Sequence, residues 1–329
     1  MNIQKCLLLP IVLCAASALS AATLLDDTFT SGTTGNFKTT GVTNVGIGTQ
    51  SPSASAEWFG IGSNTTAPIT YNQNIGIKSA VNSISSSQGA LAYFEAPGSQ
   101  VNLAVGETIT ESIIFQYATA PTNSGAGLKI QLLNSNSTGS QNNQALSELG
   151  TNNGGSNSAN VVATNYSGFF VQLDPNASTA IAGIDTIFFR PVGANTSWVA
   201  SNGGMTALNT TAVGPIASLG TDKYNAVLTL TYTNPTTETL GFNVLDLTTG
   251  GTDVAAYDIS GATTTRLVTS FDTVALGFAS GEPVQTISEA SVVTTDIPEP
   301  STYAAILGAA TLGLVALRSR RQRRLSVSC

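Results

Sequence analysis

The segment Lys223-Tyr-Asn-Ala-Val-Leu-Thr-Leu-Thr-Tyr-Thr233 decides the fold class, because apolar and polar residues alternate along it. One face carries the apolar set Tyr224, Ala226, Leu228, Leu230 and Tyr232, and the other carries Asn225, Thr229 and Thr231. A period of two residues is typical of a half-buried β-strand. The segment therefore predicts a strand with one face against a hydrophobic core.

The same alternation recurs between residues 23 and 297, with no stretch of helical period. We predict further strands at Leu24–Phe29, Trp58–Ile61, Leu91–Phe94, Thr108–Tyr117, Leu128–Leu133, Phe169–Leu173, Ile187–Arg190, Leu240–Leu247, Val254–Ile259, Val274–Phe278 and Ile287–Thr294. About a dozen strands separated by Gly, Asn and Pro turns indicate an all-β fold, a single antiparallel β-sandwich (jelly roll). Its core is expected to include Phe115, Phe169, Val171, Leu228, Leu230, Val274 and Leu276.

Two further expectations concern the layout of this body. The first and last predicted strands should lie close together, because the termini of a domain tend to meet at its surface. Asn134–Asn165, which holds nine asparagines in 32 residues, is expected to be a long surface loop between two strands.

The composition excludes several classes of chemistry. The 329 residues include no histidine, so a Ser-His-Asp triad and a His-ligated metal are excluded. The three cysteines, Cys6, Cys14 and Cys329, lie in the end segments, so the body has neither a disulfide framework nor a thiolate nucleophile.

Charge is distributed unevenly along the chain. Between residues 23 and 300 there are six basic residues and all 19 acidic ones, a net charge of −13. Such a body repels phosphate backbones, so nucleic acid is excluded as a partner.

The first 22 residues have the pattern of an export signal. Lys5 precedes an apolar run from Cys6 to Leu19, and small residues follow at positions 20–22. This order is typical of a secretory signal peptide, which we expect to be helical. We predict that signal peptidase cleaves after Ala22, with cleavage one or two residues earlier as the alternative.

Three features follow one another at the C-terminal end. Pro298-Glu299-Pro300 comes first, the apolar run Tyr303–Leu317 comes next, and five arginines between Arg318 and Arg324 come last. The run would make about 22 Å of helix, short of the roughly 20 residues of a permanent span. The arginines are expected to stay cytoplasmic, which holds the body on the far side of the inner membrane. The two prolines keep Glu299 in an extended segment that a protease can reach.

This end resembles the PEP-CTERM sorting signal of Gram-negative bacteria, on Pro298-Glu299-Pro300, Ser301-Thr302, the short apolar run and the arginines. The resemblance implies a substrate of exosortase, a membrane-embedded protease, cleaved near this motif. It also implies a transient inner-membrane anchor, followed by release to the cell surface or the extracellular matrix. If the tail is retained, the alternative is a plain single-span anchor.

Three regions result from these patterns. We predict a signal peptide over 1–22, a β-sandwich body over 23–297, and a sorting signal over 298–324 that comprises a short transmembrane helix and the arginine cluster.

The body is similar to the concanavalin-A-like and laminin-G-like jelly rolls that occur in PEP-CTERM proteins. The similarity rests on four segments, Leu24–Phe29, Val105–Thr110, Ser270–Phe278 and Ser288–Thr295. It is a pattern of strands and turns and implies a fold, while function has to be argued from a site.

Candidate catalytic carboxylates are few. Jelly-roll glucanases carry Glu-x-Asp-x-(x)-Glu on one strand, and the nearest run here is Glu107-Thr-Ile-Thr-Glu111, without the central aspartate. We expect Glu107 in a turn and Glu111 near a strand end. Asp26, Asp27 and Asp296 offer a calcium site if the terminal strands are neighbours, and solvated edge charges are the alternative interpretation.

The sequence spacing of the other candidate site residues does not assign them to a common site. Tyr166, Arg190 and Lys223 offer the base and the charge neutraliser of a lyase, whereas Trp58, Trp198, Tyr93 and Tyr257 are either sugar-stacking rings or core residues. The sequence therefore predicts no catalytic residue, no cofactor and no metal site.

We conclude that the sequence predicts a non-catalytic exported protein, with extracellular polysaccharide as its candidate ligand. Its partners during export are signal peptidase, exosortase and, transiently, the inner membrane. One alternative is a carbohydrate-active lyase or hydrolase on the same fold, and another is a purely structural exoprotein.

Overall fold

The computed structural model describes residues 21–30, 35–36, 47–48, 57–62, 69–79, 88–95, 99–121, 127–136, 166–173, 186–193, 205–208, 219–250, 252–264, 267–278 and 283–295, together with Thr311 and Gly313. Residues Ala21–Thr295 form one compact unit. Its strands are β1 (Ala21–Asp27), β2 (Gly35–Asn36), β3 (Ile47–Gly48), β4 (Glu57–Gly62), β5 (Thr70–Asn72), β6 (Gly76–Lys78), β7 (Gln88–Tyr93), β8 (Val101–Asn102), β9 (Thr108–Tyr117), β10 (Leu128–Asn134), β11 (Ser167–Leu173), β12 (Thr186–Arg190), β13 (Thr206–Ala207), β14 (Lys223–Asn234), β15 (Thr237–Asp246), β16 (Thr252–Thr264), β17 (Ser270–Phe271), β18 (Thr273–Phe278) and β19 (Gln285–Thr295).

The strands form two large antiparallel sheets and one small one. A nine-stranded sheet has the order β16-β15-β14-β9-β19-β6-β5-β2, with β1 also paired to β19. An eight-stranded sheet has the order β13-β12-β11-β10-β18-β7-β4-β3, and β17 pairs with β8 separately. Consecutive strands pair in several places, whereas β9 pairs with β14 and β19, and β18 pairs with β10 and β7, so each sheet mixes the two halves of the chain.

A single hydrophobic core contains residues from both large sheets, which makes the body a β-sandwich. All seven predicted core residues are buried in it: Phe115, Phe169, Val171, Leu228, Leu230, Val274 and Leu276. The predicted strands are all present, and no helix lies within the described part of residues 21–295. The predicted fold class, an all-β antiparallel β-sandwich (jelly roll), is confirmed.

The two terminal strands pair directly, as predicted. Ala21 lies opposite Thr295, and Asp27 lies opposite Ala290. The first strand ends two residues earlier than expected, at Asp27, because the Asp27 carboxylate accepts the Phe29 N–H at 2.8 Å. Phe29 then adopts a positive φ of 55°, which stops the extended conformation.

Little of the two end segments is described. Thr311 and Gly313 are helical, in agreement with the predicted C-terminal helix. Across the described residues, no helix has the length and apolar character needed to cross a membrane. The predicted signal peptide and most of the predicted loop Asn134–Asn165 lie outside the described residues.

Candidate ligand-binding face

The eight-stranded sheet has a second face, opposite the core, where polar side chains lie among apolar ones, and the side chains described there are buried. Side chains alternate along a strand, so Leu128, Ile130 and Leu132 of β10 enter the core whereas Lys129 and Gln131 take the opposite face. Lys129 lies directly opposite Gln172 of β11. We call this surface the outer face. Its residues with described side chains include Leu91, Tyr93, Lys129, Gln131, Leu133, Phe170, Gln172, Phe188 and Arg190.

Arg190, the last residue of β12, brings a second cation to the outer face. It lies opposite Gly168, which in turn lies opposite Leu133. Gly168 has φ of +149°, and a Cβ there would lie 2.2 Å from the Leu132 carbonyl oxygen. Glycine is therefore required beside Arg190, since any side chain would meet the neighbouring strand.

Burial weakens the ionisation of both cations without abolishing it. It lowers the pKa of Lys129 to about 8. It also lowers the pKa of Arg190 to about 10, against the opposing effect of nearby Tyr166. Both groups therefore remain mainly protonated at neutral pH.

Two tyrosines complete the outer face near Arg190. The hydroxyl of Tyr93, at the end of β7, is hydrogen-bonded to that of Tyr166, the residue before β11. Burial raises the pKa of both phenols, and the charge of Asp272 raises them further. Both hydroxyls therefore stay protonated at neutral pH.

Asp272, beside these tyrosines, has a structural role, because its carboxylate is hydrogen-bonded to neighbouring residues. Its Oδ1 accepts the Ser135 N–H at 2.8 Å and the Thr273 hydroxyl at 2.7 Å, and its Oδ2 accepts the Ser135 hydroxyl. The backbone N–H of Asp272 also donates to the Leu133 carbonyl at 3.0 Å. The carboxylate thus ties the end of β10 to the start of β18.

The structure brings together two of the three residues considered for a lyase. Tyr166 and Arg190 interact on the outer face, whereas Lys223 is exposed at the start of β14 in the other sheet. Lys129, Gln131 and Gln172 were not predicted as site residues. The signal for Lys129 and Gln131 was their alternation with the core residues of β10, which assigns them to one face.

The predicted carboxylate pair does not form a site. Glu107 is in the turn before β9, as expected, and its Oε2 accepts the Ala104 N–H at 2.6 Å. The prediction that Glu111 lies near a strand end is wrong. Glu111 is inside β9 on its core-facing side, fully buried between Leu228 and Val292. A carboxylic acid between the sheets has no access to a polysaccharide.

Trp58 belongs to the core, one of the two alternatives for this residue. It is fully buried, and its indole N–H donates to Asp27 Oδ2 at 2.8 Å. Trp198 and the side chain of Tyr257 lie outside the described residues. Asp27 is therefore engaged with Trp58 and Phe29, and Asp296 is not described. Among the residues that the structure describes, no group of three or more acidic or cysteine side chains is placed to hold a metal ion.

Of the predicted processing residues, the structure describes Ala22 alone. Ala22 is exposed in β1, opposite Thr294 of β19. Pro298, Glu299 and Pro300 lie outside the described residues. Cleavage at these positions remains a prediction.

The comparison with protein families identifies the C-terminal segment. The PEP-CTERM protein-sorting motif matches residues 296–324. The predicted sorting signal is thus confirmed, and it marks an exported protein that exosortase sorts and that is anchored transiently in the membrane before cleavage. A search of curated proteins found no match.

Solved structures with a similar arrangement of strands include lectins and a glucanase. The exoplasmic/lumenal domain of VIP36 in its Ca2+/Man2-bound form has 13% identity and a TM-score of 0.39, covering 74% of this chain and 82% of that one. Lectin II from Ulex europaeus has 13% identity and a TM-score of 0.38, covering 72% and 92%. The endo-1,3-beta-glucanase from Streptomyces sioyaensis has 10% identity and a TM-score of 0.38, covering 84% and 97%. Similarity this loose indicates neither a ligand nor an activity.

Proposed function

We propose that this protein is a non-catalytic, surface-delivered binder of an acidic polysaccharide. In this proposal signal peptidase removes residues 1–22, and exosortase releases the body near Pro298-Glu299-Pro300. The body then resides at the cell surface or in the extracellular matrix, and the outer face of the eight-stranded sheet holds the ligand.

One observation carries the proposal, namely the placement of Lys129 and Arg190 on a single face. The body has only six basic residues against 19 acids, and two of the six share this face with Gln131 and Gln172. Ammonium, guanidinium and carboxamide groups are the donors that a sugar carboxylate or sulfate accepts. The net charge of −13 repels a polyanion at a distance, so binding of an acidic polymer depends on this face, where no described side chain is acidic. Asp272, beside Tyr93 and Tyr166, is hydrogen-bonded to Ser135 and Thr273.

The spacing of the two cations favours a polymer over a small anion. Lys129 and Arg190 are two strands and four residues apart, which corresponds to about 16 Å. A single carboxylate cannot bridge that distance, whereas neighbouring units of one chain can contact both cations.

Both cations are buried, with exposures of 3% for Lys129 and 0% for Arg190. A ligand therefore reaches them only after a local conformational change exposes them. Once reached, the cations act in a medium of low polarity, where charge-assisted hydrogen bonds are strong. The proposal thus predicts slow association, because binding waits for a conformational change.

The state of the tyrosines supports a non-catalytic role. A lyase base must lose its proton near the working pH. The pKa of Tyr166 is raised by burial, and its hydroxyl is hydrogen-bonded to Tyr93. A glycosidase needs two carboxylates facing one substrate, and Glu107 and Glu111 do not provide them.

The test is binding of the exported protein to polygalacturonate, with dextran as the uncharged comparison. We expect Lys129→Met and Gln131→Leu to weaken binding of the acidic polymer, and added salt to weaken it further. Lys223→Met, which removes an exposed cation from the other sheet, is the matched control and should bind normally.

The same samples test the alternatives. Unsaturated uronates or new reducing ends released from polygalacturonate would establish the enzyme instead. Equal retention of all variants, or no retention of either polymer, would contradict the proposed face and favour the purely structural alternative.

A further inference from the structure

Both ends of the compact unit leave the nine-stranded sheet at the same edge. Ala21 and Thr295 are cross-strand partners, and β19 ends at Thr295. Thr295 also lies opposite Thr108, the first residue of β9. The edge is completed by the turn 104–107 and by the hairpin turn between β14 and β15, since Gly106 N–H donates to the Tyr232 carbonyl at 2.6 Å. We call this the exit edge.

A short tether connects the exit edge to the apolar run. Residues 296–302 separate Thr295 from Tyr303, where the run begins. Seven residues span at most about 25 Å when fully extended. The ten-residue strands β9 and β15 are about 33 Å long, so the opposite edge lies farther from the exit edge than the tether is long.

The exit edge has little exposed charge in its described part. Its turn tips present Ala104, Val105, Pro235 and Thr236, and Val105 is 44% exposed. Glu107 is the acid in these turns, and its carboxylate is hydrogen-bonded to the Ala104 N–H. The opposite edge instead exposes Asp222 and Lys223.

We propose that the exit edge faces and contacts the phospholipid surface while the sorting signal holds the chain in the membrane. The occupant is the bilayer itself, because the tether ends there. An anionic bilayer repels a body with a net charge of −13, so the approach is made through the edge with uncharged tips. The contact ends when exosortase removes the tail.

Two exposed aliphatic residues provide a matched pair for the experiment. Val105 lies at the exit edge, and Leu247 lies at the opposite edge, where its N–H donates to the Lys223 carbonyl at 2.9 Å. The precursor with an intact tail is purified from cells without exosortase. Val105→Cys and Leu247→Cys are made separately, in a background where serine replaces Cys6, Cys14 and Cys329.

Each cysteine is labelled with a fluorophore, and the chain is inserted into vesicles of phosphatidylcholine and phosphatidylglycerol that contain a headgroup nitroxide lipid. We expect quenching of the label at position 105 and none at position 247, which lies at the other end of strands about 33 Å long. Pro235→Cys gives a second position at the exit edge, and equal melting temperatures confirm that the variants fold.

Quenching at position 247, equal quenching at both edges, or no quenching at either would overturn the proposal. The vesicles contain no exosortase, so a signal that needs added exosortase would also overturn it and assign the edge to the enzyme. The polysaccharide-binding proposal does not depend on this result.

Discussion

Replacing Glu111 by glutamine should make the stability of the body less sensitive to pH. Glu111 is fully buried, and neither of its carboxyl oxygens has a hydrogen-bond partner. In its own sheet it lies between Leu228 and Val292, with Ile109 and Ile113 on the same face of β9. Burial raises the pKa of Glu111 well above its ordinary value of 4.5, so the folded protein holds a proton that the unfolded chain releases.

The sign of the effect follows from this proton. Above about pH 4.5 the folded state binds more protons than the unfolded state, so the free energy of unfolding falls as pH rises, by about 1.4 kcal/mol per pH unit. Glu238 acts in the same direction, since burial raises its pKa to about 8 despite the Val268 N–H at 2.9 Å. Between about pH 5.5 and about pH 7, the ionisation preference of each carboxyl therefore lowers the free energy of unfolding by about 2 kcal/mol.

Urea denaturation at these two pH values is the assay. The wild type should lose about 4 kcal/mol across the interval from the two carboxyls, and Glu111→Gln should lose about 2 kcal/mol less than the wild type. Ile113→Val, a neighbour on the same face, is the control, because it should cost about 1 kcal/mol equally at both pH values. An unchanged pH dependence in Glu111→Gln would refute the reasoning, since it would mean that Glu111 is ionised and partnered in the folded state.

Four further outcomes are expected. Trp58→Phe should destabilise the body by about 1–3 kcal/mol in thermal denaturation, because it leaves Asp27 Oδ2 without the indole donor. Gly168→Ala should lower the free energy of unfolding by about 1–3 kcal/mol or more, because the new Cβ would meet the Leu132 carbonyl oxygen. An unchanged melting temperature would contradict this. Intact-mass measurement of the surface protein should show loss of Arg318–Arg324, whereas a species that keeps them would indicate a permanent anchor. Reductant should leave the melting temperature unchanged, because the body has no cysteine.

The strands and the core were predictable because side-chain alternation is a local property. β9 and β14 have the bounds that alternation indicates to within one residue, since a half-buried strand must place apolar residues at every second position. The pairing of β1 with β19 was predictable for a different reason, the tendency of domain termini to meet.

The candidate site was less predictable because it depends on strand order. Lys129 and Gln172 are 43 positions apart in sequence and become neighbours only through the pairing of β10 with β11. Arg190 joins them through β12, and no local pattern specifies that order. Glu111 was expected near a strand end, whereas the alternation of Ile109, Ile113 and Phe115 already assigned its position to the core side of β9.

The topology also predicts an order for the two expected cleavages. Ala22 is paired with Thr294, 272 residues later, so β1 acquires its partner strand only after almost the whole body has crossed the membrane. A protease needs an extended, unpaired segment, and in the precursor Ala22 has that form only before β19 arrives. If cleavage occurs after Ala22, as predicted, it therefore has to precede the pairing of β1 with β19. The predicted exosortase cleavage does not have this requirement, because the sorting motif begins at Asp296, directly after the last paired residue, Thr295.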